Sequence, residues 1–169
     1  MKSKDITILV VDDDENDLSM IKRALEKTRG APTVHLVGGG GEAIAYLKGE
    51  GQFGDRQKFR YPSIIMTDLK MPTVDGFEVL EYLQAHPMWR IIPTVVFSAS
   101  EDFDDIKKSY LLGASSYHVK PNDPEAFQKQ LALLCEYWLS CKIPQVDKTG
   151  KQLITSSEGK IGKRFEQTN

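Results

Sequence analysis

Four apolar runs in this 169-residue chain end in side chains that can do polar chemistry. The first opens "VVDDDEND", residues 10–17, where Asp12, Asp13, Asp14, Glu15 and Asp17 crowd five acids into six positions. A second run ends at Asp68, a third at Ser98, Ala99 and Ser100, and a fourth at Lys120. Carboxylates this close repel by roughly 4 kcal/mol per pair at about 4 Å and an effective dielectric near 20, so a gathered set needs a counter-charge. A hard divalent cation such as Mg²⁺ supplies one, taking a few carboxylates, several waters and a substrate phosphate. The lysine ammonium suits a phosphoryl oxygen, and a carboxylate can itself attack phosphorus to form an acyl phosphate.

These residues can act together only if a fold collects them. Residues 6–11, "ITILVV", form a near-continuous run of β-formers, the pattern of a strand buried on both faces. Further strands are predicted at 33–37, 63–67, 93–99 and 116–119. Helices are predicted between and after them, at 15–28, 41–49, 76–86, 102–113 and 123–141. The helix faces read Leu18, Ile21 and Leu25; Ala43, Ile44 and Leu47; Phe77, Leu80 and Leu83; then Phe127, Leu131, Leu134 and Trp138, with Tyr137 pointing elsewhere. Asp13 or Asp14 is the candidate N-cap of the first helix. Asp75 and Gly76 read as the entry turn of the third, and Asp123 with Pro124 opens the last.

Strict alternation of strand and helix predicts a five-stranded parallel sheet, doubly wound, with helices on both faces. In such open α/β sheets, ligands bind beyond the carboxyl ends of the strands. That edge is where Asp12, Asp13, Asp68, Ser98 and Lys120 fall, so the alternation itself turns scattered residues into one site. Asp14, Glu15 and Asp17 read instead as serving the helix terminus and solvent.

Other functions fit less well. An EF-hand would start on Asp12, Asp14 and Asn16, but Asp17 stands at its glycine position and Arg23 at its final glutamate. An aspartate-nucleophile phosphatase with a D-x-D-x-[TV] motif fails at Asn16. Glycines 38–41 lack the lysine of a phosphate-binding loop. The loop at 50–62 mixes aromatic and basic residues, yet it reads as a solvated or protein-contact loop rather than a nucleic-acid surface. A net charge of −2 gives no general attraction to nucleic acid or anionic membrane, and no apolar run approaches the ~20 residues of a spanning helix. Cys135 and Cys141, six apart on a helix, stand about 9 Å apart along its axis, beyond disulfide reach, and read as reduced thiols.

Four motifs carry a resemblance: "LVVDDD" at 9–14, "IIMTDLKMPTVDG" at 64–76, "VVFSAS" at 95–100 and "SSYHVKP" at 115–121. Together, in order and at their spacing, they resemble the receiver domains of bacterial response regulators, the CheY-like family. The resemblance implies a flavodoxin-like (βα)5 fold with strand order 2-1-3-4-5. It implies Asp68 as phosphoacceptor and Asp12 and Asp13 as the acidic pair holding Mg²⁺, Asp13 directly and Asp12 largely through water. Asp68 and the backbone carbonyl of Lys70 complete the implied metal site. Lys120 is implied as the phosphate-facing lysine, Ser98 as the hydroxyl switch and Tyr117 as the aromatic switch. The Lys120–Pro121 peptide is expected to be cis.

The resemblance spans roughly residues 5–141, and the receiver domain is expected at 1–141. From 142 to 169 the pattern gives way to a basic accessory tail, either a hairpin or disordered. The long connection at 50–62 and the aromatic pair Tyr137–Trp138 resemble single-domain regulators that work with phytochrome-type sensor kinases. The implied function is phosphoryl acceptance from a sensor histidine kinase in a cytoplasmic two-component phosphorelay. Output is expected through protein contacts, with a homodimer through the fourth and fifth helices also in keeping with the family. The chemistry on itself would be phosphoryl transfer and dephosphorylation, without turnover of other substrates. A receiver-like adaptor without phosphoryl transfer is the main rival.

Overall fold

A computed structural model describes residues 6–28 and 30–144. The order is β1 (Thr7–Val11), α1 (Glu15–Glu26), β2 (Thr33–Val37), α2 (Gly40–Lys48), β3 (Ile64–Thr67), α3 (Gly76–Ala85), β4 (Thr94–Ser98), α4 (Phe103–Leu111), β5 (Ser116–Val119) and α5 (Pro124–Ser140). All strand pairs are parallel, in the order β2-β1-β3-β4-β5. The five-stranded parallel sheet expected from the alternation, in the flavodoxin-like strand order that the resemblance implies, is therefore the fold observed. The proposed tail lies, beyond Pro144, outside the described residues.

The apolar run of β1 is divided by its pleat. Ile8 and Val10 join Leu18, Ile21, Leu25, Phe127, Leu131 and Leu134 in a core beneath α1 and α5. Leu9 and Val11 face the opposite way, into a core with Ala43, Tyr46, Leu47, Val79 and Leu83 beneath α2 and α3. Successive side chains leave a strand on opposite faces, so a strand with two covered faces must be apolar throughout. Each such aliphatic side chain contributes about 1.5–3 kcal/mol by leaving water.

Polar residues set the helix ends. The Asp14 carboxylate accepts from the backbone of Asn16 and Asp17, and Asp75 and Glu78 form a reciprocal capping box. Asp102 caps α4, and Asp123 caps α5 with Pro124 in its first turn. Both cysteines are free; burial pushes the Cys135 thiol up to about 11, which suits an inert core thiol. Among the described residues no helix is long and apolar enough to cross a membrane.

Two expectations change. On α2 the buried positions are Ala43, Tyr46 and Leu47, whereas Ile44 is only half-buried. Residues 50–62 are exposed along most of the loop, as the sequence suggests, but its aromatic side chains turn inward. Phe53, 6% exposed in a turn of 3-10 helix at Gly51–Phe53, packs with Tyr46 and Phe59. Arg56 lies 4.1 Å over the Tyr61 ring and donates to the carbonyls of Leu47 and Phe59. The Tyr46 hydroxyl closes the loop by donating to the Arg60 carbonyl at 2.6 Å. The aromatics that suggested an external surface thus fill an internal one.

Candidate functional site

The chain leaves β1 for β2 on one side and returns to β3 on the other, so the carboxyl ends of β1 and β3 flank a crevice at the switch point. Asp12 follows β1 and Asp68 follows β3. Asp68 is fixed by its own backbone, whose N–H donates to the Val11 carbonyl at 2.9 Å. One carboxylate oxygen of each residue accepts from nearby backbone: Asp12 from Asp14 at 3.0 Å, Asp68 from Leu69 at 2.6 Å. The other oxygen of each accepts from Lys120.

Lys120 arrives from the end of β5, its N–H donating to the Ser98 carbonyl at 2.8 Å. Its Nζ donates to Asp12 at 2.6 Å, Asp17 at 2.8 Å and Asp68 at 3.1 Å. An ammonium has three protons, and here each has a carboxylate. Side-chain exposures of 9% for Lys120 and 2% for Asp12 place this network out of bulk water. Burial pushes the Asp12 carboxyl up to about 6, against the pull of the Lys120 hydrogen bond. Burial alone would lower the Lys120 ammonium; its hydrogen bonds to Asp12 and Asp17 outweigh burial and hold the group above its ordinary range.

Asp13 is exposed at the mouth, and one carboxylate oxygen from each of Asp12, Asp13 and Asp68 lies within 4.8 Å of the others. Three carboxylates pair with one ammonium, and Asp13 adds a fourth beside Asp12 and Asp68. An all-oxygen set with unneutralised negative charge fits a hard divalent cation. A second observation fits a phosphoryl group. Ser98, at the same edge on the strand next to β3, is fully buried, and its Oγ has no hydrogen-bond partner in the structure. A buried hydroxyl left unpaired is costly, and its use in another state of the site would account for its presence.

Tyr117 reaches from β5 to the β4–α4 loop. Its ring packs on the cluster of Leu69, Phe77, Leu80 and Val96, and its hydroxyl donates to the Ser100 carbonyl at 2.8 Å. Ser100 in turn donates to Asp105 at 2.6 Å, and Asp105 pairs with the Lys70 ammonium at 2.7 Å. The Lys70 and Ser100 contacts draw the Asp105 carboxyl below its usual range. The residue two after Asp68 is thereby tied to the start of α4.

All five strand-edge residues, Asp12, Asp13, Asp68, Ser98 and Lys120, lie at this edge. The Lys70 side chain departs toward Asp105. The Lys120–Pro121 peptide is trans, since the described residues contain no cis bond; the trans form of a bond to proline is favoured by about 0.5–1 kcal/mol. Asp17, read as a solvated helix residue, is instead a direct partner of Lys120. Asp105 and Ser100 also went unassigned. The signal for Asp17 was its place in the first turn of α1, directly after the crevice loop.

Residues 8–132 match the family model for the response regulator receiver domain. The chain belongs to that family. Receiver domains are the regulatory modules of two-component systems, and this chain carries the module's fold. It is 33% identical over 133 residues to the probable methanogenesis regulatory protein FilR2 of Methanothrix harundinacea, covering 78% of this chain and 83% of that protein. The phosphorylated cyanobacterial phytochrome response regulator RcpA superposes with a TM-score of 0.78 at 33% identity, over 83% of this chain and 99% of its own. The Mn²⁺-bound form of response regulator Rcp1 gives 0.77 at 27% identity, over the same 83% and 99%.

Proposed function

We propose that this receiver accepts a phosphoryl group on Asp68 from a phosphohistidine of a sensor histidine kinase of phytochrome type. The observation that carries the proposal is the Lys120 ammonium 3.1 Å from Asp68 Oδ2, inside a crevice with two further metal-competent carboxylates. Asp68 attacks phosphorus in line; an O–P bond forms as the N–P bond to the histidine breaks, and the imidazole leaves. Lys120 holds charge on the phosphoryl oxygens. Asp12, Asp13, Asp68 and the Lys70 carbonyl would hold Mg²⁺, which when bound neutralises charge on the phosphoryl oxygens. Ser98 gains its missing partner on the bound phosphoryl group.

The Tyr117–Ser100–Asp105–Lys70 chain then links the phosphorylated edge to α4. Ser98 drawn toward phosphate moves the β4–α4 loop that Tyr117 grips, and the exposed Phe103, Tyr110 and Leu111 of α4 supply apolar surface for a protein partner or second copy. We place the receiver at 1–141, the accessory tail at 142–169, and the protein in the cytoplasm. The catalysis is confined to the protein's own phosphorylation and dephosphorylation.

Intact mass after incubation with a small phosphodonor tests this reading. A gain of about 80 Da that requires Mg²⁺ supports it. No gain with any donor or kinase favours the adaptor, and sustained turnover of phosphomonoesters would favour a phosphatase.

A further inference from the structure

Lys120 and a divalent cation draw on the same two carboxylates. Two of the three carboxylates within 4.8 Å of one another, Asp12 and Asp68, are already bonded to the Lys120 ammonium. A cation binding them competes with the ammonium for their charge and weakens both bonds, in a crevice where an unpaired ammonium is costly. Lys120's third partner stands apart. Asp17 is bonded at 2.8 Å and 21% exposed, but it belongs to α1 and not to the metal-competent trio. Beside the pair lies a cavity of about 270 Å³, lined by Asp17, Lys120, Ala99, Pro121, Met20 and Phe127. The ammonium therefore has room to follow Asp17 away from the trio.

We propose that Asp17 is a positioning residue for the cation site: a counter-ion that keeps Lys120 paired while the trio turns to the metal. It does not touch the metal or the phosphoryl group. It lowers the cost of releasing Asp12 and Asp68, and keeps the ammonium close enough to meet an incoming phosphoryl oxygen. The inference rests on the reading of this crevice as a cation and phosphoryl site.

Titration calorimetry with MgCl₂ on the full chain tests it. Asp17→Asn should weaken Mg²⁺ binding roughly fivefold, the effect of one partly exposed ion pair. Asp17→Glu, which retains the charge, should stay within about twofold of the unaltered protein. In a Lys120→Met background Asp17→Asn should lose most of its effect, because the lysine through which it acts is gone. Unaltered affinity in Asp17→Asn overturns the proposal. So does an equal loss with and without Lys120, which marks simple attraction between Asp17 and the metal. Should Lys120→Met not fold, the Asn and Glu variants still decide: equal weakening in both contradicts a counter-ion role. Phosphoryl uptake measured on the unaltered protein separates the two failures. Normal uptake with an indifferent Asp17 removes only this role, whereas absence of both uptake and Mg²⁺ binding removes the reading beneath it.

Discussion

Gly76 is packed against the backbone carbonyl of Asp68 so closely that a Cβ at residue 76 would overlap its oxygen. The Gly76 N–H also donates to the Leu69 carbonyl at 2.9 Å, fastening the start of α3 beneath the proposed phosphoacceptor. Gly76→Ala is expected to cost about 1–3 kcal/mol in chemical denaturation, because the Asp68 carbonyl and the Leu69 Cα that must yield are backbone. It should also slow phosphorylation of whatever fraction folds, by displacing Asp68. Wild-type stability in this variant would contradict the packing.

Ser98→Ala should behave in the opposite way. The buried Oγ has no partner, so its removal relieves an unsatisfied group and leaves a small void. Denaturation should show stability unchanged or raised by up to about 1 kcal/mol, while the phosphorylated form loses a hydrogen bond and its response at α4. A stability loss above that size would mean Ser98 has a structural partner.

For Asp12 the expected pH dependence has a definite sign. Burial raises its folded pKa to about 6, above the ordinary 3.8. The folded state therefore binds more protons between these values, and the contribution from Asp12 is full below pH 4 and lost as pH rises through about 6. In metal-free protein, stability relative to Asp12→Asn should fall by about 1–2 kcal/mol from pH 4 to pH 7. Carboxyl-carbon NMR of Asp12 checks it directly; a midpoint below 4 would show Lys120 dominating burial.

Much of this was legible in the sequence because local pattern and fold coincide. The apolar runs at 6–11 and 63–67 could only be covered strands, and their ends carried Asp12 and Asp68 to one edge. Asp14 was readable as a cap because a cap is a local interaction. Asp17 was not, since its partner lies 103 residues away and reaches it only once β5 is laid beside β4. Residues 50–62 misled for a similar reason. Phe53 and Phe59 are flanked by polar residues, and only packing against Tyr46 makes them internal. The trans peptide at Pro121 reflects a small energy difference that neighbouring residues do not signal.

The central claim is that Asp68, and no other acid in the crevice, carries the phosphoryl group. Borohydride cleaves an acyl phosphate by reducing the carbonyl carbon, leaving homoserine where the phosphorylated aspartate stood. Peptide mapping of protein treated with phosphodonor, Mg²⁺ and then borohydride should find homoserine at residue 68 alone, and none when Mg²⁺ is withheld. Homoserine at residue 12, 13 or 17, or aspartate unchanged at 68 after demonstrated phosphoryl uptake, would contradict the account.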